Sequence, residues 1–320
     1  MSAPRLVLAS RRFPGPAFDE LPAVEILGAP LADAPPTPRP DVFAVAALYE
    51  RIDDAVLDRL PNLAIVANYG VGYDTIDVAA CRRRGVAVTN TPGAVDGATA
   101  DLAFALTLAV RRRLVHADAL VRRGEWTHGD RDAVVSDEVH GTTLGIVGCG
   151  RIGRAVARRA RGFDMRVLYA QRSRLAPDVE AELGVEHAEL DDLLAAADVV
   201  TLHCPLTPST TRLIDARRLA LLRDGASLVN TSRGAVVDQR ALVAELVSGR
   251  LSAGLDVFEH EPGVPPELVG LANVVLSPHV GSATVQTRAA MTRLVVDNIL
   301  AAAAGRPLLT PVPEPTRLTG

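Results

Sequence analysis

Short apolar runs alternate with amphipathic, helix-like stretches along almost the whole chain. In the first part, apolar runs lie at residues 6–9, 24–27, 42–46, 63–66 and 86–88. Helical spacing occurs between them at residues 53–60 and 77–84. The same alternation returns further on, with apolar runs at residues 144–147, 167–169, 199–202, 227–229, 254–257 and 274–276. Strands that alternate with helices in this way predict an α/β protein with parallel sheets.

Two longer helical patterns, at residues 96–113 and 284–304, divide the chain. Each is long enough to connect two domains. At 320 residues, with 48% hydrophobic positions, the chain can bury a large core and is long enough for two domains. We therefore predict one domain of residues 1–98 and 286–320 and a second of residues 99–285.

A glycine-rich turn follows the apolar run that ends at residue 147, and a helical stretch at residues 154–160 follows the turn. The order Gly-x-Gly-x-x-Gly between strand and helix predicts a dinucleotide-binding turn. The alternative is a tight strand-to-helix turn that binds no nucleotide. The glycines permit a tight turn, close approach of a pyrophosphate and close helix packing, while the helix N-terminus suits an anion. The predicted cofactor contacts here are Gly148, Cys149, Gly150, Arg151, Ile152 and Gly153. The predicted fold is a doubly wound parallel-sheet (Rossmann) nucleotide domain with a smaller, flavodoxin-like α/β substrate domain.

Composition limits the possible partners. All 34 basic residues are arginine, which excludes a lysine Schiff base or a P-loop lysine. The net charge of −4 argues against a nucleic-acid partner, and no apolar segment approaches the ~18 residues of a membrane span. Cys81, Cys149 and Cys204 lie far apart without metal-ligand spacing, so we expect reduced thiols, no metal and a cytoplasmic protein.

Three polar motifs follow predicted strands in the second part of the chain. Arg233, Glu261 and His279 come after the runs that end near residues 229, 257 and 276. In an open parallel sheet these strand ends bind ligands. An arginine can hold a carboxylate, a carboxylate can orient a base and a histidine can donate a proton, so together they predict one acid–base site. Each residue alone could instead be an ordinary loop or surface residue.

From residue 68 to the C-terminus the sequence resembles the D-isomer-specific 2-hydroxyacid dehydrogenases. The resemblance includes residues 68–77 (Asn-Tyr-Gly-Val-Gly-Tyr-Asp-Thr-Ile-Asp), residues 99–103, the glycine turn, residues 203–208 and the three polar motifs. It is closest to the branch of glyoxylate, hydroxypyruvate and hydroxyphenylpyruvate reductases, on residues 259–266, 280–288 and 306–312. The first 60 residues contribute little to it.

The resemblance implies a set of site residues. Arg233, Glu261 and His279 match the family's catalytic triad, and the amides of Val71 and Gly72 match its substrate-carboxylate loop, although an ordinary strand-to-turn glycine pair is the alternative there. Trp126, whose alternative role is local packing, matches a residue that reaches the neighbouring subunit's active site, so a homodimer is expected. Arg288 is either a second substrate-side arginine or a solvated helix residue. Further cofactor contacts are expected from Thr99, His203, Cys204, Pro205, Thr231, Ser232, Asp256 and Gly281.

The end of the second nucleotide-domain strand bears on the choice of cofactor. Proteins that prefer NAD carry Asp or Glu about 20 residues past the glycines, where the carboxylate binds the ribose hydroxyls. Here the chain reads Gln171-Arg172-Ser173-Arg174, with no acid until residue 178. Arg172 and Ser173 can bind a 2′-phosphate, and Arg174 can add charge at longer range, so NADPH is predicted over NADH. An ordinary solvated arginine at 172 is the alternative.

The reaction expected from the resemblance is the reduction of a 2-oxo acid to a D-2-hydroxy acid. Hydride reaches the carbonyl carbon while protonated His279 neutralises the alkoxide, Arg233 stabilises charge, and Glu261 orients the ring and favours its protonated form. The sequence leaves open which 2-oxo acid is physiological. The alternatives are a nucleotide-sensing corepressor of the same fold, phosphoglycerate dehydrogenase, and formate or phosphite dehydrogenase.

Overall fold

The computed structural model describes residues 5–127 and 134–313; His128 lies outside this range. The chain divides into two compact units, Met1–Val95 with Ser282–Gly320, and Asp96–Gly281. The boundaries predicted from sequence followed residues 98 and 285. In the part of the chain that is described, no helix is both long and apolar enough to traverse a lipid bilayer.

Twelve strands and ten α-helices lie within the described residues. The strands are β1 Leu6–Ala9, β2 Val24–Ile26, β3 Val42–Ala47, β4 Ile65–Asn68, β5 Ala87–Thr89, β6 Thr143–Val147, β7 Arg166–Ala170, β8 Val185–His187, β9 Val199–Leu202, β10 Ser227–Asn230, β11 Ser252–Leu255 and β12 Val274–Leu276. The helices are α1 Asp54–Asp58, α2 Val78–Arg83, α3 Asp96–Arg111, α4 Leu114–Arg122, α5 Arg151–Ala160, α6 Pro177–Leu183, α7 Leu190–Ala196, α8 Ala216–Leu219, α9 Gln239–Val247 and α10 Val285–Ala303.

The first unit contains a five-stranded parallel sheet in the order β2-β1-β3-β4-β5. This is the flavodoxin-like order 2-1-3-4-5. Helices α1 and α2 begin where the side chains of Asp53 and Asp77 accept hydrogen bonds from the N–H groups of Val56 and Ala80. Apolar residues of β3 and β4 form the core of this unit, and helix α10 packs against β4.

The second unit contains a seven-stranded parallel sheet in the order β12-β11-β10-β9-β6-β7-β8. Read from β8, this is the doubly wound order with one added strand, and the order reverses between β6 and β9. Successive residues alternate between two buried clusters; for example, Ile146 belongs to one cluster and Val147 to the other. Because strand side chains alternate between faces, each face of the sheet is covered by its own core. The predicted fold class is confirmed.

The structure differs from the prediction at three elements. The helix predicted over residues 96–113 is α3, Asp96–Arg111; Arg113, with φ of 48°, separates it from α4, Leu114–Arg122, which was not predicted. Arg111, in the last turn of α3, is buried and donates to the carbonyl of Glu138. Strand β8 and helix α6 were not predicted, since β8 is a three-residue edge strand with exposed Glu186 at its centre.

Candidate active site

The strand register of the second sheet aligns the predicted site residues along one edge. Val147 of β6 pairs with Leu202 of β9 and Ala170 of β7, and the pairing continues through Asn230 of β10 to Leu255 of β11. Parallel strands end at the same edge, so the residues that follow them lie side by side. These residues are Gly148, Gln171, His203, Thr231, Asp256 and Ser277.

The glycine turn between β6 and α5 has the geometry that its three glycines require. Gly148 has φ of 94°, and a Cβ there would lie 2.7 Å from the backbone N of Cys204. A Cβ at Gly153 would lie 2.3 Å from the carbonyl oxygen of Gly148, whereas one at Gly150 would meet no atom within 4 Å. Gly150 is the N-cap of α5, and because glycine has no side chain, the N–H groups of the first turn of α5 receive no side-chain cap. The turn therefore leaves open space and unpaired donors where an anion can bind.

Gln171 occupies the position at which an acid would indicate NAD. Its Oε1 accepts from the N–H of Cys149 at 3.0 Å, and its Nε2 donates to the carbonyl of Ser173 at 2.6 Å. Arg172 and Ser173 are exposed, and neither side chain has a hydrogen bond or ion pair within the described residues. Arg174 is different: its guanidinium binds Glu180 through two hydrogen bonds of 2.9 Å. The expectation of a long-range charge from Arg174 therefore has to be corrected, because Glu180 compensates that charge.

Glu261 and His279 form a hydrogen-bonded pair. His279 Nδ1 lies 2.7 Å from Glu261 Oε2, and Glu261 Oε1 accepts from the N–H of Phe258 at 3.1 Å. Burial works to raise the pKa of Glu261, but the hydrogen bond from His279 and the positive charges of His279 and Arg233 outweigh it and lower the pKa. Glu261 is thus held ionised beside the ring. The histidine side chain is 24% exposed.

Arg233 lies on a turn that a neighbouring asparagine shapes. Asn230, the last residue of β10, accepts at Oδ1 from the N–H and hydroxyl of Ser232 and donates from Nδ2 to the carbonyl of Arg233. A Cβ at Gly234 would lie 2.0 Å from the carbonyl carbon of Phe258, so this glycine brings the arginine turn against the loop that carries Glu261. Asn230 was not predicted as a site residue; its place at the end of a buried strand was the available signal.

The buried carboxylate of Asp256 binds the loop around His279. Its Oδ1 accepts from the hydroxyl of Ser277 at 2.6 Å and the N–H of Val280 at 2.8 Å, and its Oδ2 accepts from the N–H of Gly281 at 2.9 Å. The carbonyl of Asp256 also accepts from the N–H of His279 at 2.8 Å. Asp256 therefore supports the histidine loop, in addition to the cofactor contact predicted for it.

Thr231 has the clearest unused hydrogen-bonding group at this edge. Its Oγ1 is buried and has no hydrogen-bond partner among the described residues. A buried hydroxyl without a partner is unfavourable unless a ligand supplies one. Together with the open space at Gly150, it fits a bound dinucleotide. Gly281 packs near the buried Thr99, since a Cβ there would lie 3.4 Å from Thr99 Cγ2.

The loop at residues 203–205 follows β9 beside the glycine turn. Burial lowers the pKa of His203 to about 4, so the ring is neutral, and its Nε2 lies 2.9 Å from Thr201 Oγ1. Burial also raises the thiol pKa of Cys149 and of Cys204 to about 11, which leaves both as unreactive thiols. Pro205 is exposed. No group of His, Cys, Asp and Glu in the described chain has the arrangement of a metal site.

In the first unit, the loop after β4 exposes backbone donors. The side chain of Asn68 donates to the carbonyls of Gly70 and Gly72 at 3.0 and 2.9 Å, and that of Asn90 donates to the carbonyl of Val71 at 2.8 Å. The N–H groups of Val71 and Gly72 donate to no atom of the described residues. Two adjacent free amides with bound carbonyls are a suitable site for a small anion. The two asparagines were not identified from the sequence.

Arg288 and Trp126 have different surroundings. Arg288, in the first turn of α10, holds its guanidinium 5.8 Å from the ring centre of Tyr69, and its carbonyl accepts from the Tyr69 hydroxyl. It therefore lies next to the loop that carries Val71 and is not simply a solvated helix residue. Trp126 is 59% exposed, and α4 before it has no buried side chain.

Comparisons with known proteins show which family and which proteins this chain is similar to. Residues 104–281 match the family model described as D-isomer specific 2-hydroxyacid dehydrogenase, NAD binding domain. The chain is 48% identical over 266 residues to a glyoxylate reductase of Thermococcus litoralis, covering 82% of this chain and 80% of that protein. It is 46% identical over 261 residues to a hydroxyphenylpyruvate reductase of Plectranthus scutellarioides, covering 81% and 82%. A crystal structure of an NADPH-dependent glyoxylate/hydroxypyruvate reductase from Sinorhizobium meliloti, in complex with NADP and malonate, superposes with a TM-score of 0.85 at 35% identity and covers 97% of each chain.

Proposed function

The chain belongs to the family of D-isomer specific 2-hydroxyacid dehydrogenases, and we propose that it reduces small 2-oxo acids to D-2-hydroxy acids with NADPH as the preferred cofactor. Glyoxylate, hydroxypyruvate and hydroxyphenylpyruvate are the proposed substrates, because proteins named for their reduction are similar to this chain.

The observation that carries the proposal is the 2.7 Å hydrogen bond between Glu261 and His279 at the ligand-binding edge of the sheet. A carboxylate bound to Nδ1 fixes the orientation of the ring, and Nε2 serves as the proton donor in this proposal. In this proposal His279 protonates the keto oxygen as charge develops there. The bound nicotinamide cofactor supplies the hydride to the carbonyl carbon.

Two further groups bind the substrate in this proposal. Arg233 stabilises the negative charge that develops on the keto oxygen and also holds the carboxylate. The free N–H groups of Val71 and Gly72 bind the substrate carboxylate, and Arg288 beside their loop adds positive charge. No metal takes part in this scheme.

The proposed preference for NADPH rests on the β7–α6 loop. Gln171 places no negative charge near the ribose, and exposed Arg172 and Ser173 have no other partner within the described residues. A guanidinium–phosphate pair at a half-exposed site contributes roughly 1.5–3 kcal/mol, which corresponds to a preference of about ten- to a hundred-fold in kcat/KM.

The test is steady-state oxidation of NADPH and of NADH with glyoxylate, hydroxypyruvate, hydroxyphenylpyruvate and pyruvate. Turnover above ~1 s⁻¹, the lower end of the ordinary enzyme range, is expected with at least one acid. Arg172→Ala should lower kcat/KM for NADPH far more than for NADH. Equal efficiencies for the two cofactors in the wild-type protein would contradict the preference, while absence of turnover with every acid would contradict the substrate class.

The proposal includes a homodimer, and a cytoplasmic location remains a prediction. Helix α4 carries exposed Leu114, Val115 and Val121, and Trp126 follows it. Contiguous exposed apolar side chains on a helix with no buried face are typical of a subunit interface. A second copy of the chain is the expected partner for this surface.

A further inference from the structure

A closed cluster of side chains lies behind the β7–α6 loop. Glu180 of α6 accepts from Arg174 Nε and Nη2, both at 2.9 Å, and from the hydroxyl of Tyr169 at 2.5 Å. The Tyr169 hydroxyl in turn accepts from the N–H of Leu175 at 2.8 Å. These bonds connect strand β7, the loop and helix α6 in one ring.

The carboxylate at the centre of the cluster is ionised and enclosed, whereas the Arg174 side chain is 65% exposed. Tyr169 is fully buried, and the Glu180 side chain is only 11% exposed. The hydrogen bonds from Arg174 and then from Tyr169 lower the pKa of Glu180 to about 2. Both carboxylate oxygens are therefore charged acceptors at any working pH, and they direct the Arg174 guanidinium onto α6.

The other side of the loop is also held. Gln171 binds the N–H of Cys149 in the glycine turn and the carbonyl of Ser173. The loop is thus fixed at residues 171, 173, 174 and 175. The side chains of Arg172 and Ser173 project between these fixed points without a partner in the described structure.

We infer that Tyr169, Arg174 and Glu180 form a positioning cluster which holds the β7–α6 loop so that Arg172 and Ser173 meet a 2′-phosphate, and which thereby determines cofactor selectivity without touching the cofactor. The inference rests on the proposed preference for NADPH. A loop that is ordered before binding loses little conformational entropy when the phosphate binds. A loose loop of the same composition must be ordered on binding, and this entropy cost weakens the binding of the phosphorylated cofactor. The cluster should therefore affect the phosphorylated cofactor and leave the unphosphorylated one unchanged.

A direct phosphate contact by Arg174 makes the opposite prediction for one variant. If Arg174 were a ligand of the phosphate, Glu180→Gln would release its charge and strengthen NADP⁺ binding. If Arg174 instead fixes the loop through Glu180, the same substitution weakens NADP⁺ binding. Tyr169→Phe separates the two further, because it removes only the hydroxyl that binds Leu175 and Glu180 and leaves the arginine in place.

The experiment measures dissociation constants of NADP⁺ and NAD⁺ by calorimetry for the wild-type protein, Tyr169→Phe and Glu180→Gln. Each variant should weaken NADP⁺ binding about three- to ten-fold, the size of one or two lost hydrogen bonds, while NAD⁺ binding and kcat at saturating NADPH stay nearly constant. Glu186→Gln is the matched control, because Glu186 binds Arg166 through a similar two-point pair at the opposite end of β7. It should leave both dissociation constants unchanged.

The outcomes distinguish this inference from the proposed function. A wild-type preference for NADP⁺ that survives in both variants, or tighter NADP⁺ binding by Glu180→Gln, overturns the inference alone. Equal losses for both nucleotides assign the cluster a general role in folding and also overturn it. If the wild-type protein binds NADP⁺ and NAD⁺ equally well and Arg172→Ala does not change NADP⁺ binding, both the proposed function and the inference are contradicted. If Glu180→Gln does not fold, Tyr169→Phe decides, since the ring keeps its packing.

Discussion

Two substitutions in the glycine turn separate packing from cofactor binding. At Gly153 an added Cβ would lie 2.3 Å from the carbonyl oxygen of Gly148 and 3.1 Å from Ile146 Cγ2. At Gly150 an added Cβ meets nothing within 4 Å, and φ of −75° is acceptable to any residue. Gly153→Ala therefore disturbs the protein itself, whereas Gly150→Ala disturbs only a bound ligand.

The magnitudes follow from these distances. Relief of the contact at Gly153 requires α5 to move about 1 Å from the turn, and overpacking of this kind costs about 1–3 kcal/mol. In a domain of this size the melting temperature should fall by about 3–10 °C. At Gly150 the loss of a favourable N-cap, about 0.5–1 kcal/mol, is offset by the smaller entropy of the unfolded chain, about 0.4–1 kcal/mol.

The assay combines thermal unfolding without nucleotide and titration with NADPH. Gly150→Ala should melt within about 2 °C of the wild-type protein but bind NADPH at least about ten-fold more weakly, because the methyl group occupies the space of the pyrophosphate. Wild-type affinity in Gly150→Ala would refute the placement of the pyrophosphate at this glycine. An unchanged melting temperature in Gly153→Ala would show that the turn can relax.

Three other predictions concern the acid–base pair and the assembly. His279→Gln should lower kcat at least about a hundred-fold with NADPH affinity unchanged, and a variant that keeps more than about a tenth of wild-type kcat would exclude a general acid here. Because the pKa of Glu261 is lowered on folding, its ionised form stabilises the protein above pH 4.5, and this contribution disappears as the pH falls further. The difference in melting temperature between the wild-type protein and Glu261→Gln should therefore shrink below pH 4.5. A difference that stays constant with pH would contradict the pairing of Glu261 with His279. Light scattering at micromolar concentration should give a dimer, which a monomer would disprove, and Trp126→Ala should alter the preference among 2-oxo acids.

The sequence predicted the parts of the fold that depend on strong periodic patterns. Short, mostly apolar runs such as residues 144–147 and 199–202 correspond to central strands, because a strand covered on both faces is apolar along most of its length. Edge strand β8 was missed, since it is three residues long and has an exposed glutamate at its centre. Helix α4 was also missed, since it has no buried side chain and therefore no apolar face packed on the core.

The site residues also divide into those that the sequence predicted and those that it did not. Gly148, Gly153 and the spacing of Glu261 and His279 after strands were visible in the sequence, because glycine and strand-end positions restrict what can lie there. The supporting contacts were not visible: Asn68, Asn90 and Asn230 each bind backbone groups of a nearby turn, and Arg174 binds Glu180. Such contacts depend on how turns approach one another, which residue spacing alone does not determine.

The backbone of His279 explains why the loop around it needs a buried carboxylate. His279 has φ of 54°, a left-handed conformation that costs a residue with a Cβ roughly 1 kcal/mol or more. Glycine would remove that cost but would also remove the only ring beside Glu261 in the described site. The three hydrogen bonds that Asp256 accepts from the residues flanking position 279 can offset the strain, since each bond to a charged acceptor contributes about 1.5–3 kcal/mol. The position of the proposed proton donor is thus set from two sides, by Asp256 through the backbone and by Glu261 through the ring.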